Sequence, residues 1–162
     1  MTEEGSRTDI SSDEIIRKYF NMVYRLALSQ SRNVSIAEDV TQDVFLRLLQ
    51  HDGFESDEHI KAWLIRVTIN CSRSVFKTAW FRKTVPLEEE IAFDTPEKSD
   101  VYFAVQSLPS NYRTVIHLFY YEDMSVKEIA ECLEISEPTV KTRLHRARKQ
   151  LKTKLKGGYD FV

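Results

Sequence analysis

The stretch SVKEIAECLEISEPTVKTRLHRARKQL, residues 125–151, has the grammar of a helix-turn-helix. Ser125 followed by Glu128 is a capping box, and Ile129, Ala130 and Leu133 then supply the apolar face of a short helix. Small Ala130 suits a tight helix crossing. Glu134-Ile135-Ser136 reads as a turn. Pro138 follows at a first-turn position, where its missing N–H costs nothing. A basic helix then runs from Thr139 through about Leu155. Val140, Leu144, Ala147 and Leu151 form its inward stripe, which leaves Thr139, Lys141, Thr142, Arg143, His145, Arg146, Arg148 and Lys149 on the outer faces. Short hydroxyl and cationic side chains near a helix N-terminus can enter the major groove, while later arginines grip phosphates. A charge run alone would be a solvated face. Joined to a cap, a small crossing residue and a turn, it points to duplex DNA.

Upstream, the spacing predicts a helix around 101–107 stopped by Leu108-Pro109, then one capped by Ser110 that carries Tyr112, Val115, Ile116, Phe119 and Tyr120. Between about Arg82 and Ser99 the periodicity fails. Pro86, the Glu88–Glu90 run and Thr95-Pro96 give the composition of an extended tether. Helical spacing returns further toward the N-terminus. Ser11 with Glu14 opens a helix bearing Ile15, Ile16, Tyr19, Phe20, Val23, Tyr24 and Ala27. Ser35 with Glu38 opens a second, with Ala37, Val40, Val44 and Leu48 inward. A third keeps Trp63, Leu64, Val67 and Cys71 on one face, after a loop around 50–57. The fold class is therefore all-α: two small helical bundles joined by a flexible linker, the C-terminal one a helix-turn-helix. The boundaries are 12–82, 83–99 and 100–156.

The net charge of −2 hides a pattern. Residues 60–87 carry 6 basic and no acidic side chains, residues 88–100 carry 6 acidic and 1 basic, and residues 137–162 carry 8 basic against 2 acidic. Two basic blocks separated by an acidic stretch suggest two polyanion-contacting surfaces. A pI near 6.1 is no obstacle, because local potential governs phosphate attraction. Cys71 and Cys132 lie far apart inside apolar helical patterns and read as buried, reduced thiols. With the four His residues they give no metal-ligand spacing, so no metal and no cofactor is expected. No Gly-rich phosphate loop, nucleophile elbow or His-Glu-x-x-His motif appears, so the chain does not read as an enzyme and no small-molecule substrate is expected. The polar start and the broken apolar runs give neither a signal peptide nor a membrane span, and the cytoplasm is the expected compartment.

Residues 125–151 resemble the DNA-reading half of the fourth conserved region of sigma factors, and LPSNYRTVIHLFYYEDMSVKEIAECL extends the likeness upstream. The same local pattern occurs in output domains of response regulators. The N-terminal half separates the two. AEDVTQDVFLRLLQ, residues 37–50, resembles the polymerase-binding helix of sigma factors, and FESDEHIKAWLIRVTINCSRSVFK, residues 54–77, resembles the region that melts and reads the −10 element. Trp63, Arg66 and Asn70 match a Trp-Leu-x-Arg-x-x-x-Asn pattern. Where the family often has Asp one turn later, this chain has Ser74 or a near neighbour. Two motifs in this order, with no third region between them, resemble the small extracytoplasmic-function (ECF) class.

That resemblance implies core RNA polymerase, through its β′ and β subunits, as a partner of Asp39, Gln42, Asp43, Phe45, Leu46 and Leu49. It implies single-stranded −10 DNA for Phe54, His59, Lys61, Arg66, Asn70, Arg73 and Lys77, with Arg82 and Lys83 continuing a cationic track. A flipped base needs a stacking surface and amide or guanidinium donors beside such a track. It implies duplex −35 DNA for Thr139, Lys141, Thr142, Arg143, Arg146 and Arg148. Trp63 reads as mainly structural. An anti-sigma factor, often membrane-bound, is the implied regulator. The acidic linker is expected to thread the RNA exit path, its Glu88–Glu90 run and Asp94 resembling nucleic-acid charge. The alternatives are a stand-alone helix-turn-helix regulator of response-regulator type and an adaptor that only sequesters other proteins.

Overall fold

A computed structural model describes residues 10–82 and 96–155, which fall into two compact units, one within Met1–Leu87 and one within Glu88–Val162. Every regular element among the described residues is a helix.

The first unit packs α1 (Ser12–Ser31), α2 (Val34–Leu49) and α3 (Asp57–Arg82) against one another. Ser11 caps α1 by accepting from the Glu14 N–H. At its other end Arg32 takes a left-handed conformation, φ 54°, and its N–H returns to Leu28 O. Ile15, Tyr19, Val23 and Ala27 turn inward as expected, joined by Met22 and Leu26. Phe20 does not. It is 46% exposed, because seven apolar positions cover more arc than two neighbouring helices can hide. The start of α2 also differs from expectation. Asn33, not Ser35, is the cap, and its side-chain oxygen accepts from Ile36 N–H at 3.0 Å while Ser35 lies inside the helix. Only a residue in extended backbone can cap, and Asn33 has that backbone with φ −148°.

The stripe Ala37, Val40, Val44 and Leu48 is sealed. On α3 the sealed residues are Ile60, Leu64, Ile65, Thr68, Ile69, Cys71 and Ser72, while Trp63 and Val67 are only half-buried. The inward face is thus rotated from the one expected, because α3 contacts both α1 and α2 and needs a wider apolar arc. Thr68 and Ser72 reach this interior by donating to Leu64 O and Thr68 O one turn back.

Asp57 ties the first turn of α3 to α1. Lys18 Nζ donates to both of its oxygens at 3.0 Å, and the Tyr19 hydroxyl donates to one at 2.7 Å. The Tyr19 bond first, and then the Lys18 bond, hold this carboxyl below its ordinary 3.8, while burial and the same carboxylate push the Tyr19 phenol up. A carboxyl depressed in the folded state adds stability above its unfolded pKa and loses it as pH falls through the folded value. Asp57→Asn should therefore lower the urea midpoint at about pH 6 and cost progressively less below about pH 4. The ion pair is half exposed, so the difference stays under about 1 kcal/mol. Urea titrations of both proteins across that range check it; a gap that widens on acidification contradicts it.

The second unit holds α4 (Pro96–Gln106), α5 (Ser110–Ile116), a π turn (His117–Tyr121), α6 (Val126–Leu133) and α7 (Glu137–Lys154). Two expectations need correction. α4 begins at Pro96, inside the stretch 83–99 read as linker, since Pro is well suited to a first helical turn. Ser110 is the first residue of α5, whose cap position is Pro109. The remainder of that stretch, 83–95, lies outside the described residues, with Lys83, Glu88–Glu90 and Asp94. Arg113 is buried at 4% exposure and donates from Nη1 to Leu108 O at 2.8 Å, closing the end of α4 over the start of α5. The Ser125 capping box forms in both directions, with Glu128 N–H to Ser125 Oγ and Ser125 N–H to Glu128 Oε1. The turn into α7 passes through Glu134 at φ 57°, and Ile135 N–H returns to Ala130 O at 3.0 Å.

Candidate functional site

On α7, Val140, Leu144, Ala147 and Leu151 are each at most 1% exposed, so the opposite face is committed to solvent. Lys141, Thr142 and Arg146 are exposed there, and Arg143 is half-buried. Thr139 is partly spent on the fold: its hydroxyl lies 2.7 Å from Ser136 Oγ, and its N–H donates to that same cap at 3.2 Å. Arg148 is also engaged, with Nε donating to Tyr120 Oη at 2.7 Å.

The loop between α2 and α3 is an aromatic cluster. Phe54 is 4% exposed, and one face of its ring is covered by His51, stacked at 4.2 Å and 7°. Trp63 and His59 meet Phe54 edge-on at 5.5 and 5.2 Å. One face of Phe54, expected to help form the −10 pocket, is thus covered by a partner the sequence did not point to, His51. Trp63 combines packing with partial exposure. His59 Nδ1 accepts from Glu55 N–H at 3.2 Å, so its ring braces the loop. Beyond it on α3, Arg66, Asn70, Arg73 and Lys77 are all exposed. Their spacing of four, three and four places them along one helix ridge. Lys61 is half-buried at the start of α3, and the Arg82 side chain lies outside the described residues.

Between α1 and α2 runs a mostly apolar groove of about 810 Å³. Gln42, Phe45, Leu46 and Leu49 line it from α2, and Ile16, Phe20 and Tyr24 line it from α1. Phe45 is 8% exposed and stacks on Phe20 at 5.9 Å, whereas Leu46 and Leu49 stand 60% and 59% exposed. Asp39 is exposed outside the groove. Asp43 is half-buried, 3.4 Å from Arg47 and hydrogen-bonded to the Cys71 side chain of α3. Burial, then that carboxylate, push the Cys71 thiol up to about 11, which fits the buried, reduced thiol read from sequence. The α1 half of the groove was missed because Ile16, Phe20 and Tyr24 continue an apolar stripe that looks like core. Its excess width was the available signal.

Among the described residues no group of three or more His, Cys, Asp or Glu is placed to hold a metal ion, and no helix is long and apolar enough to cross a membrane.

The matches to known proteins divide the chain in the same way. The family Sigma-70 region 2 matches residues 15–82, and Sigma-70, region 4 matches residues 99–151. The chain is 32% identical over 152 residues to the ECF RNA polymerase sigma factor SigM of Bacillus subtilis, covering 86% of this chain and 92% of that protein. It is 32% identical over 155 residues to the ECF sigma factor SigE of Mycolicibacterium smegmatis, covering 88% of this chain and 60% of that protein. It is 28% identical over 164 residues to the ECF sigma factor SigW of Bacillus subtilis, with 88% of each covered. Its fold is shared with the sigma factor RpoE of Bartonella quintana, solved with the anti-sigma factor NepR, at a TM-score of 0.76, 23% identity and 88% and 95% coverage. It is also similar to CnrH, solved with the cytosolic domain of CnrY, at a TM-score of 0.66, 25% identity and 88% and 85% coverage. A sealed three-helix unit with an apolar groove, a separate helix-turn-helix, and sequence kinship along nearly the whole of SigM lead to one conclusion: the chain belongs to the ECF RNA polymerase sigma factors.

Proposed function

We propose that the chain directs core RNA polymerase to promoters by holding three surfaces in one protein, and performs no chemistry of its own. Residues 12–82 dock on polymerase through α2 and capture the unpaired −10 strand on the α3 ridge. Residues 100–156 read duplex −35 DNA with Lys141, Thr142, Arg143 and Arg146, while Arg148 and Thr139 act closer to the fold. The observation that supports this reading best is the division of α7 into a fully sealed apolar stripe and an exposed cationic face, directly after a capped helix and turn. Phe54 supports the −10 loop from beneath, and Arg66, Asn70, Arg73 and Lys77 meet the strand.

Each half presents a small surface, so neither binds DNA tightly alone, and mounting both on polymerase raises the effective concentration of the second contact. The cytoplasm is then the site of action. Two of its structural relatives were solved with the anti-sigma factor NepR and with the cytosolic domain of CnrY, and we take an anti-sigma factor as the regulator here. The test adds the purified chain to bacterial core polymerase on a library of promoter fragments. Transcripts starting at discrete new sites are expected; tight binding of a palindromic duplex by the chain alone, without new starts, favours a stand-alone regulator.

A further inference from the structure

The entry into the helix-turn-helix holds an arrangement that core packing does not account for. α5 widens into the π turn His117–Tyr121, closed by a bond from Glu122 N–H to His117 O at 3.2 Å. The same two residues are joined again through their side chains, His117 Nε2 to Glu122 Oε1 at 3.2 Å, and both are almost wholly buried. Buried polar groups are costly unless paired, so this second bond fixes the wider turn. π turns are rare and frequently mark functional sites.

Here the turn presents two aromatic rings to one guanidinium. Arg148 Nε donates to Tyr120 Oη at 2.7 Å, and its guanidinium carbon lies 5.4 Å from the Phe119 ring centre and 5.6 Å from that of Tyr120. These contacts use one of the five guanidinium N–H groups. Among the described residues, the two terminal amino groups of Arg148 have no hydrogen-bond partner. A long side chain that ordinarily loses much rotamer freedom on binding is held in place beforehand, with its planar fork unfilled by any described residue.

We propose that Tyr120 is a positioning residue which, with Phe119, holds Arg148 as a preformed fork for the oxygens of one DNA phosphate. The inference rests on the reading of α7 as the duplex-binding helix. A phosphate suits the fork, since guanidinium binds phosphate oxygens in bidentate fashion. Arg148 stands in the second half of α7, beyond the N-terminal residues best placed to reach base edges. Exposed Arg146, Lys149 and Lys152 surround it in sequence, a field that draws a polyanion.

The test uses the full chain loaded on core polymerase, with duplexes that this complex selects from a random-sequence pool, titrated at several salt concentrations. Arg148→Ala is expected to weaken binding about tenfold on selected and random duplexes alike, and to make the salt slope shallower by about one. Tyr120→Phe keeps the ring and removes the acceptor; it should weaken binding about threefold with the slope unchanged, because the charge remains. In an Arg148→Lys background, which lacks the fork, Tyr120→Phe should have no further effect. A purely structural role would instead lower the melting temperature of Tyr120→Phe in step with affinity and leave the Arg148→Ala salt slope intact, and that result overturns the proposal. So does a loss confined to polymerase capture, which would assign the fork to a protein carboxylate. If the unaltered complex selects no duplex, the reading of α7 fails and the proposal with it; if it selects duplexes that Arg148→Ala binds equally well, the proposal alone fails.

Discussion

Replacing Arg143 and Arg146 together by Ala should abolish promoter-directed transcription, lowering it by about 100-fold or more, while capture of core polymerase is unchanged. Each arginine that reads a base edge contributes roughly 1–3 kcal/mol of discrimination, and the two lie three residues apart on one side of α7. Neither belongs to the sealed stripe of Val140, Leu144, Ala147 and Leu151, so the double variant should fold normally. Run-off transcription on a responsive promoter, with polymerase co-purification as the control, checks this. Retained transcription would mean that α7 is a solvated basic helix and that promoter choice is made elsewhere.

The second large effect is expected at the groove. Leu46→Asp with Leu49→Asp places two carboxylates on side chains that are 60% and 59% exposed in the chain. Surface changes of this kind usually alter stability by less than about 0.5 kcal/mol each. If these leucines are the apolar anchors of a polymerase contact, burying the new charges should reduce capture by at least about 100-fold. The thermal midpoint reports the fold and a pull-down with core polymerase reports the contact. Equal capture by the variant and the unaltered chain would remove α2 from the interface. The neighbouring acids differ in what they would report. Asp39 is exposed, but Asp43 contacts Arg47 and Cys71, so its replacement would mix docking with packing of α2 on α3.

The residue pattern by itself determined the all-helical class, the capping box at Ser125 and the inward stripes of α2 and α7. These follow from rules that act within a few residues: a hydroxyl in reach of an N–H three positions on, and apolar side chains recurring with the helical turn. What only the tertiary structure decided is which apolar residues stay uncovered and which polar ones are spent internally. Phe20 looks in sequence like the core residues beside it, and its exposure depends on how much of α1 the other helices hide. The stack of His51 on Phe54, the His117–Glu122 pair beneath the π turn and the grip of Tyr120 on Arg148 join residues whose meeting depends on backbone curvature and helix packing. Apolar periodicity does not announce such contacts: the first two need the particular curvature of a loop and of a π turn, and the third is set by where α7 lands.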